Sequence, residues 1–244
     1  MKKALLCIIM TCLIVASLQG CKPTHDIITD QNTNITNESV LEDTQEKYNQ
    51  VLDDYTQLVN DLLSENFEDK VNGGNFEAPS TAFDQDWFYM VIDAKKGITN
   101  ISSSSFGYAL YDLDQDGCDE LVLMRDDYFI LAIFTSSSEN AELLGAFYYK
   151  NKGIILGDGN VYNIVTDAAN IIEYNILQLK NGELSTIRGF GLNGEQYYSK
   201  TYNETKQITE SEFNDLRSNY PDISDQSKIK EYMISNGIKF IPLG

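Results

Sequence analysis

Leu41, Tyr48, Val51, Leu52, Tyr55, Leu58, Val59, Leu62 and Leu63 recur at steps of three and four, with acids and amides between them. That spacing lines them along one side of a helix. Ser39 followed by Glu42 has capping-box spacing, so the predicted helix begins there and runs to about Glu65. It can pack on the chain's own sheet or pair with a partner as a coiled coil. A strict heptad count lasts only about three turns, which favours the first. Gly73, Gly74 and Pro79 mark a loop, and Trp87, Phe88, Val91 and Ile92 suggest a second, short helix before the serines at 102–105.

The period then changes. Phe106 to Tyr111, Leu121 to Met124, Tyr128 to Phe134, Leu143 to Tyr149, Val161 to Val165, Ile171 to Leu179, Leu184 to Phe190 and Tyr197 to Tyr202 are short runs rich in β-branched or aromatic residues. Asn, Asp and Gly separate them, as expected of strands joined by tight turns. Lys180, Asn181 and Gly182 form a hairpin signal, and Gly157, Asp158, Gly159 and Asn160 read as another hairpin turn, with a second, degenerate metal loop as the alternative. Thr209 and Glu212 repeat the capping-box spacing ahead of Phe213 and Leu216, with Pro221 as a stop. Ile229, Tyr232 and Met233 suit a last helix closed by Asn236 and Gly237, and Lys239 to Ile241 a final edge strand before Pro242. The expected class is α+β: an N-terminal amphipathic helix packed on a mostly antiparallel meander, with short C-terminal helices. One globular domain would span 38–244, helical over 38–98, β-rich over 106–203 and helical over 209–236.

The chain's beginning has another build. Lys2 and Lys3 precede an apolar stretch that ends in Leu18, Gln19, Gly20 and Cys21. A charged start and a short apolar core make an export signal. About fourteen apolar residues fall short of the roughly 20 that span a bilayer. The four residues ending at Cys21 resemble the bacterial lipobox, with Gln19 as a less usual spacer. The resemblance implies loss of residues 1–20 and lipid on Cys21, which would hold the protein on the extracytoplasmic side of the cell membrane. Two or more acyl chains anchor stably. Residues 21–37, polar and poor in apolar side chains, read as a disordered tether.

Charge narrows the partners. The chain has 18 Lys and Arg against 37 Asp and Glu, a formal −19, and loss of Lys2 and Lys3 with the signal takes it to −21. Nucleic acid would be repelled, and the membrane is expected to hold this body by its lipid alone. The single histidine, His25, lies in the tether, so no His triad or His-ligated metal site is expected in the domain. Cys7 and Cys12 leave with the signal and Cys21 is lipidated. Only Cys118 then remains, and no internal disulfide is expected in the mature form.

One segment carries chemistry. From Asp112 to Glu120 the sequence DLDQDGCDE puts side-chain oxygens at positions 1, 3, 5 and 9, with glycine at 6. Ca2+ takes six to eight oxygens from a tightly turned loop. Asp112, Asp114, Asp116 and Glu120 can offer carboxylates, the Cys118 carbonyl the central ligand and Gly117 the turn, with Asp119 facing outward. Position 12 is Leu123 and the flanks are strand-like, so this is no EF-hand. The loop resembles the DxDxDG calcium loops of FG-GAP and VCBS repeats, and more closely the "YALYDIDGDGxxEL"-like core of a group of uncharacterised Gram-positive lipoproteins. A single loop does not make a propeller. A solvated acidic turn without metal is the bland reading, and mutual repulsion of four carboxylates argues against it.

The tyrosines Tyr148, Tyr149, Tyr197, Tyr198 and Tyr202 read as half-buried strand residues rather than a sugar-stacking surface. The expected role is a binding or envelope-assembly module with a protein or glycan partner. The alternative is an extracellular carbohydrate-active enzyme or accessory protein using Asp and Glu. That alternative needs a cleft with two facing carboxylates.

Overall fold

The computed structural model describes residues 47–65, 67, 101–137, 140–147, 150–167 and 170–243. The export signal, Cys21, the tether with His25, the start of the first helix, the loop of Gly73, Gly74 and Pro79, the helix around Trp87 to Ile92, and Tyr148 with Tyr149 lie outside these residues.

The first predicted helix is present as α1 (Asn49–Leu63). Its three-and-four spacing does what it predicts: Val51, Leu52, Tyr55, Leu58, Val59 and Leu62 are all buried. A 3-10 turn, Ser103–Ser105, leads into the sheet.

Its strands are β1 (Phe106–Tyr111), β2 (Glu120–Arg125), β3 (Ile130–Ser137), β4 (Asn140–Ala146), β5 (Asn151–Ile155), β6 (Val161–Asp167), β7 (Ile171–Lys180), β8 (Glu183–Asn193), β9 (Gln196–Thr201), β10 (Thr205–Gln207) and β11 (Ile241–Pro242). Each of the eight predicted runs overlaps a strand, although Tyr128, Phe129, Phe147 and Tyr202 fall outside the strands. β5 and β10 were not foreseen, and the final edge strand is Ile241–Pro242 rather than Lys239 to Ile241, with Pro242 paired to Gly107 instead of stopping it. Among the described residues the strands form one sheet in the order β10-β9-β8-β7-β6-β5-β3-β2-β1-β11, with β4 on β3. Every pairing is antiparallel. The class is α+β, mostly antiparallel sheet with a few helices. β3 uses one edge twice, meeting β5 at Ile130 and folding back on β4 from Ala132 to Ser137. Asn181 and Gly182 turn the β7–β8 hairpin in the left-handed region, as the Asn-Gly signal requires.

The run LVLM of β2, Leu121 to Met124, is apolar throughout because both faces of the strand are covered. Leu121 and Leu123 join a core with α1, Phe106, Tyr108 and Phe134. Val122 and Met124 point the other way, into a core shared with Ile154, Tyr162, Phe190, Phe213 and Ile229. Two C-terminal helices close this second core. α2 (Glu210–Ser218) is capped by Thr209 in a full capping box and buries Phe213 against the rings of Tyr174, Phe190 and Tyr197. It ends at Ser218, before Pro221. α3 (Gln226–Ser235) is capped by Asp225 and buries Ile229 and Met233. Among the described residues no helix is long and apolar enough to cross a membrane.

Candidate metal centre

β1 and β2 are a hairpin whose last paired residues are Tyr111 and Glu120. The segment between them therefore has to turn the chain back, and its acids do part of that work. Asp112 accepts the Asp116 N–H at 3.1 Å on one carboxylate oxygen and the Gly117 N–H at 3.0 Å on the other. Asp116 accepts the Cys118 N–H at 2.8 Å. Gln115 and Gly117 take positive φ, 61° and 91°. This winding brings one carboxylate oxygen each of Asp112, Asp114 and Asp116 within 4.8 Å of one another, a cluster that could hold a metal ion. Each oxygen that accepts an N–H still has a lone pair for a cation.

Glu120 stands apart from that cluster. It is 3% exposed. Its Oε2 accepts the Leu113 N–H at 2.9 Å, and its Oε1 accepts the Thr135 hydroxyl at 3.2 Å. Burial pushes its carboxyl up to about 8 against the opposing pull of the Leu113 bond, and the charge of Asp114 adds to the rise. Asp114 is raised too, by burial and then by Asp116. Asp119 is half-buried, and the Tyr48 hydroxyl donates to its backbone carbonyl at 2.9 Å. Burial, then Asp112, raises its carboxyl. Three of the loop's five acids, Asp114, Asp119 and Glu120, are thus held above the usual carboxylate range, first by burial and then by neighbouring acids, and a divalent cation would offset the second cause.

The loop is anchored on three sides: by Tyr48 at the start of α1, by Thr135 on β3, and by the β5–β6 turn. In that turn Asn160 donates to Asp158 from both its backbone and its side chain, and Gly159 presses its α-carbon side onto the Leu113 carbonyl. The segment 157–160 is therefore a hairpin turn that supports the acidic loop from behind.

Cys118 is disulfide-bonded in the full-length chain. Its partner lies outside the described residues, since the other cysteines are Cys7, Cys12 and Cys21. The expectation of no internal disulfide concerns the mature form, after loss of Cys7 and Cys12 and lipidation of Cys21, and is a separate matter from this chain.

The remaining tyrosines divide. Tyr197 packs on Phe213, Tyr198 donates to Glu173 from the opposite sheet face, and Tyr202 is 91% exposed. They do not make one stacking surface. A cavity of about 310 Å3 lies elsewhere, between β5–β7 and the segment after α2. It is lined by one carboxylate, Asp222, with Lys150, Lys152 and Arg217, so it does not supply the facing acids a glycosidase requires. Sequence reading missed these cations because Lys150 precedes β5, Lys152 lies in it and Arg217 lies in α2, far along the chain. Comparison with protein-family models, curated proteins and solved structures finds no match to this chain.

Proposed function

We propose that this chain is an extracytoplasmic lipoprotein, held at the membrane through lipid on Cys21, whose acidic loop binds calcium as a structural pin for a binding or envelope-assembly module. The observation that carries the calcium reading is the convergence of Asp112, Asp114 and Asp116 on a loop already wound by its own N–H bonds. Three hard oxygens on one tight turn suit calcium better than a soft metal. The Cys118 carbonyl and Glu120 are the further ligands that the spacing assigns, with water completing the shell. Calcium is plentiful outside cells, where the lipobox would send the chain.

Bound calcium would link β1 to β2 and quench the repulsion among the acids. At a hundred times its Kd it would add about 2.7 kcal/mol of stability. The test is calorimetric titration of the chelated full-length chain beside its Asp114→Asn variant. Calcium should release heat and raise Tm in the native chain and do neither in the variant. An equal response from both, or none from the native chain, overturns the reading.

A further inference from the structure

Strand register builds a site on the sheet face that α2 covers. Lys152 pairs with Ile164 and Ile164 with Tyr174, while Thr166 pairs with Ile172. Alternation sends all five side chains to the same face. At the outer end of that face, Arg217 near the end of α2 and the segment 221–224 stand over the strands and leave the cavity of about 310 Å3. Its floor and wall are apolar, with Ile164, Ile172 and Ile223 partly exposed over the buried rings of Tyr162 and Tyr174.

The charges above that floor reverse the balance of the molecule. Acids outnumber bases 37 to 18 in the whole chain, whereas the cavity is lined by three bases and one acid. The acid is already occupied. Asp222 accepts the N–H of Ser224 at 3.1 Å and its hydroxyl at 2.8 Å, and lies 3.9 Å from Arg217. Among the side chains described, which leave out that of Asp167, no carboxylate lies within ion-pairing distance of Lys150 or Lys152. Lys152 instead rests over the Phe129 ring at 5.0 Å, and Arg217 over Tyr174 at 5.9 Å. Aromatic contacts of this kind hold a cation in place without neutralising it.

We propose that this cleft binds a small organic anion of about monosaccharide size. Its carboxylate or phosphate would sit among Lys150, Lys152 and Arg217, and its ring or carbon skeleton on Ile164, Ile172 and Ile223. The volume is at the small end of ligand sites, which run from about 300 Å3 upward. The molecule's formal −19 disfavours a polyanion, whose remote charges would meet the acidic surface, but not a single anionic group that reaches the local cations. The inference supplies a ligand class for the binding role proposed above and rests on that role, not on calcium.

The test is calorimetric titration of the full-length chain with glucuronate, glucose 6-phosphate and glucose, each with calcium present and after chelation. At least one anion should bind about tenfold tighter than glucose, and the stronger of the two identifies the anionic group. Lys152→Ala and Arg217→Ala should each weaken that binding about tenfold. Lys206→Ala, an exposed change on β10, should leave it unaltered. Lys150→Ala provides a second exposed change within the cleft, in case Arg217→Ala lowers Tm. The proposal is overturned if neither anion exceeds glucose, or if the three cleft variants bind as the native chain does. Failure here leaves the Asp114→Asn calcium comparison untouched, and failure there leaves this one standing.

Discussion

Asp112, Asp114 and Asp116 were legible from spacing alone, because the bonds that wind them together, Asp112 to the Asp116 and Gly117 N–H groups and Asp116 to the Cys118 N–H, run between residues two to five apart. Glu120 was legible as an acid at position 9 but not as an anchor. Its burial depends on Thr135, which only the β2–β3 pairing brings near. The two roles can be separated by substitution. Glu120→Ala strips the Leu113 N–H and the Thr135 hydroxyl of their buried acceptor, which should cost about 2 kcal/mol. That cost should appear in chelated protein, where no metal contributes. Glu120→Gln keeps an oxygen for the Leu113 N–H and should cost under about 1 kcal/mol. Urea unfolding of the two variants after chelation measures the difference, and equal losses would show that the carboxyl does not brace the loop.

Elements were legible where a local signal sufficed. The Thr209–Glu212 box starts α2 as its spacing requires, and the Asn181–Gly182 turn fixes the β7–β8 hairpin. β5 was hidden because its sequence, NKGII, begins with polar residues and a glycine; Gly153 has no side chain because the Phe147 ring lies over it. β10 is three exposed residues that only their pairing with β9 makes a strand. The β5–β6 turn was legible as a hairpin, yet its support of the acidic loop was not. Two glycines of similar backbone test that support. Gly159 has φ +81° and a β-carbon there would stand 2.3 Å from the Leu113 carbonyl oxygen, while Gly182 has φ +76° and open space around it. Gly182→Ala should cost about 1 kcal/mol for the left-handed conformation alone. Gly159→Ala adds the clash and should cost about 3 kcal/mol, and by displacing Leu113 it should also weaken the calcium response. If thermal melts show equal losses for the two, the turn does not brace the loop.

At the scale of the whole molecule, the chain-end contacts were the part that local patterns could not carry. β11 returns from the end of the chain to pair with β1, and Tyr48 at the start of α1 reaches Asp119 in the loop. Between them these contacts set Cys118 in a loop tied to α1, and the state of that cysteine bears on the lipid anchor. In the full-length chain Cys118 is disulfide-bonded. Processing as a lipoprotein removes Cys7 and Cys12 and puts a thioether on Cys21, consuming every other sulfur that could form the bond. Within one chain, then, the disulfide and the processed, lipidated Cys21 exclude each other. Intact mass analysis of the chain extracted from bacterial membranes, without reductant, separates the two states. The expected species begins at Cys21, carries the added acyl mass and contains no disulfide. The Cys21→Ser variant should retain its first twenty residues and lose the acyl mass. A disulfide-linked peptide joining Cys118 to an unacylated Cys21 in the native extract would instead make that bond, not lipid, the fate of the residue, and would remove the anchor from the proposed function.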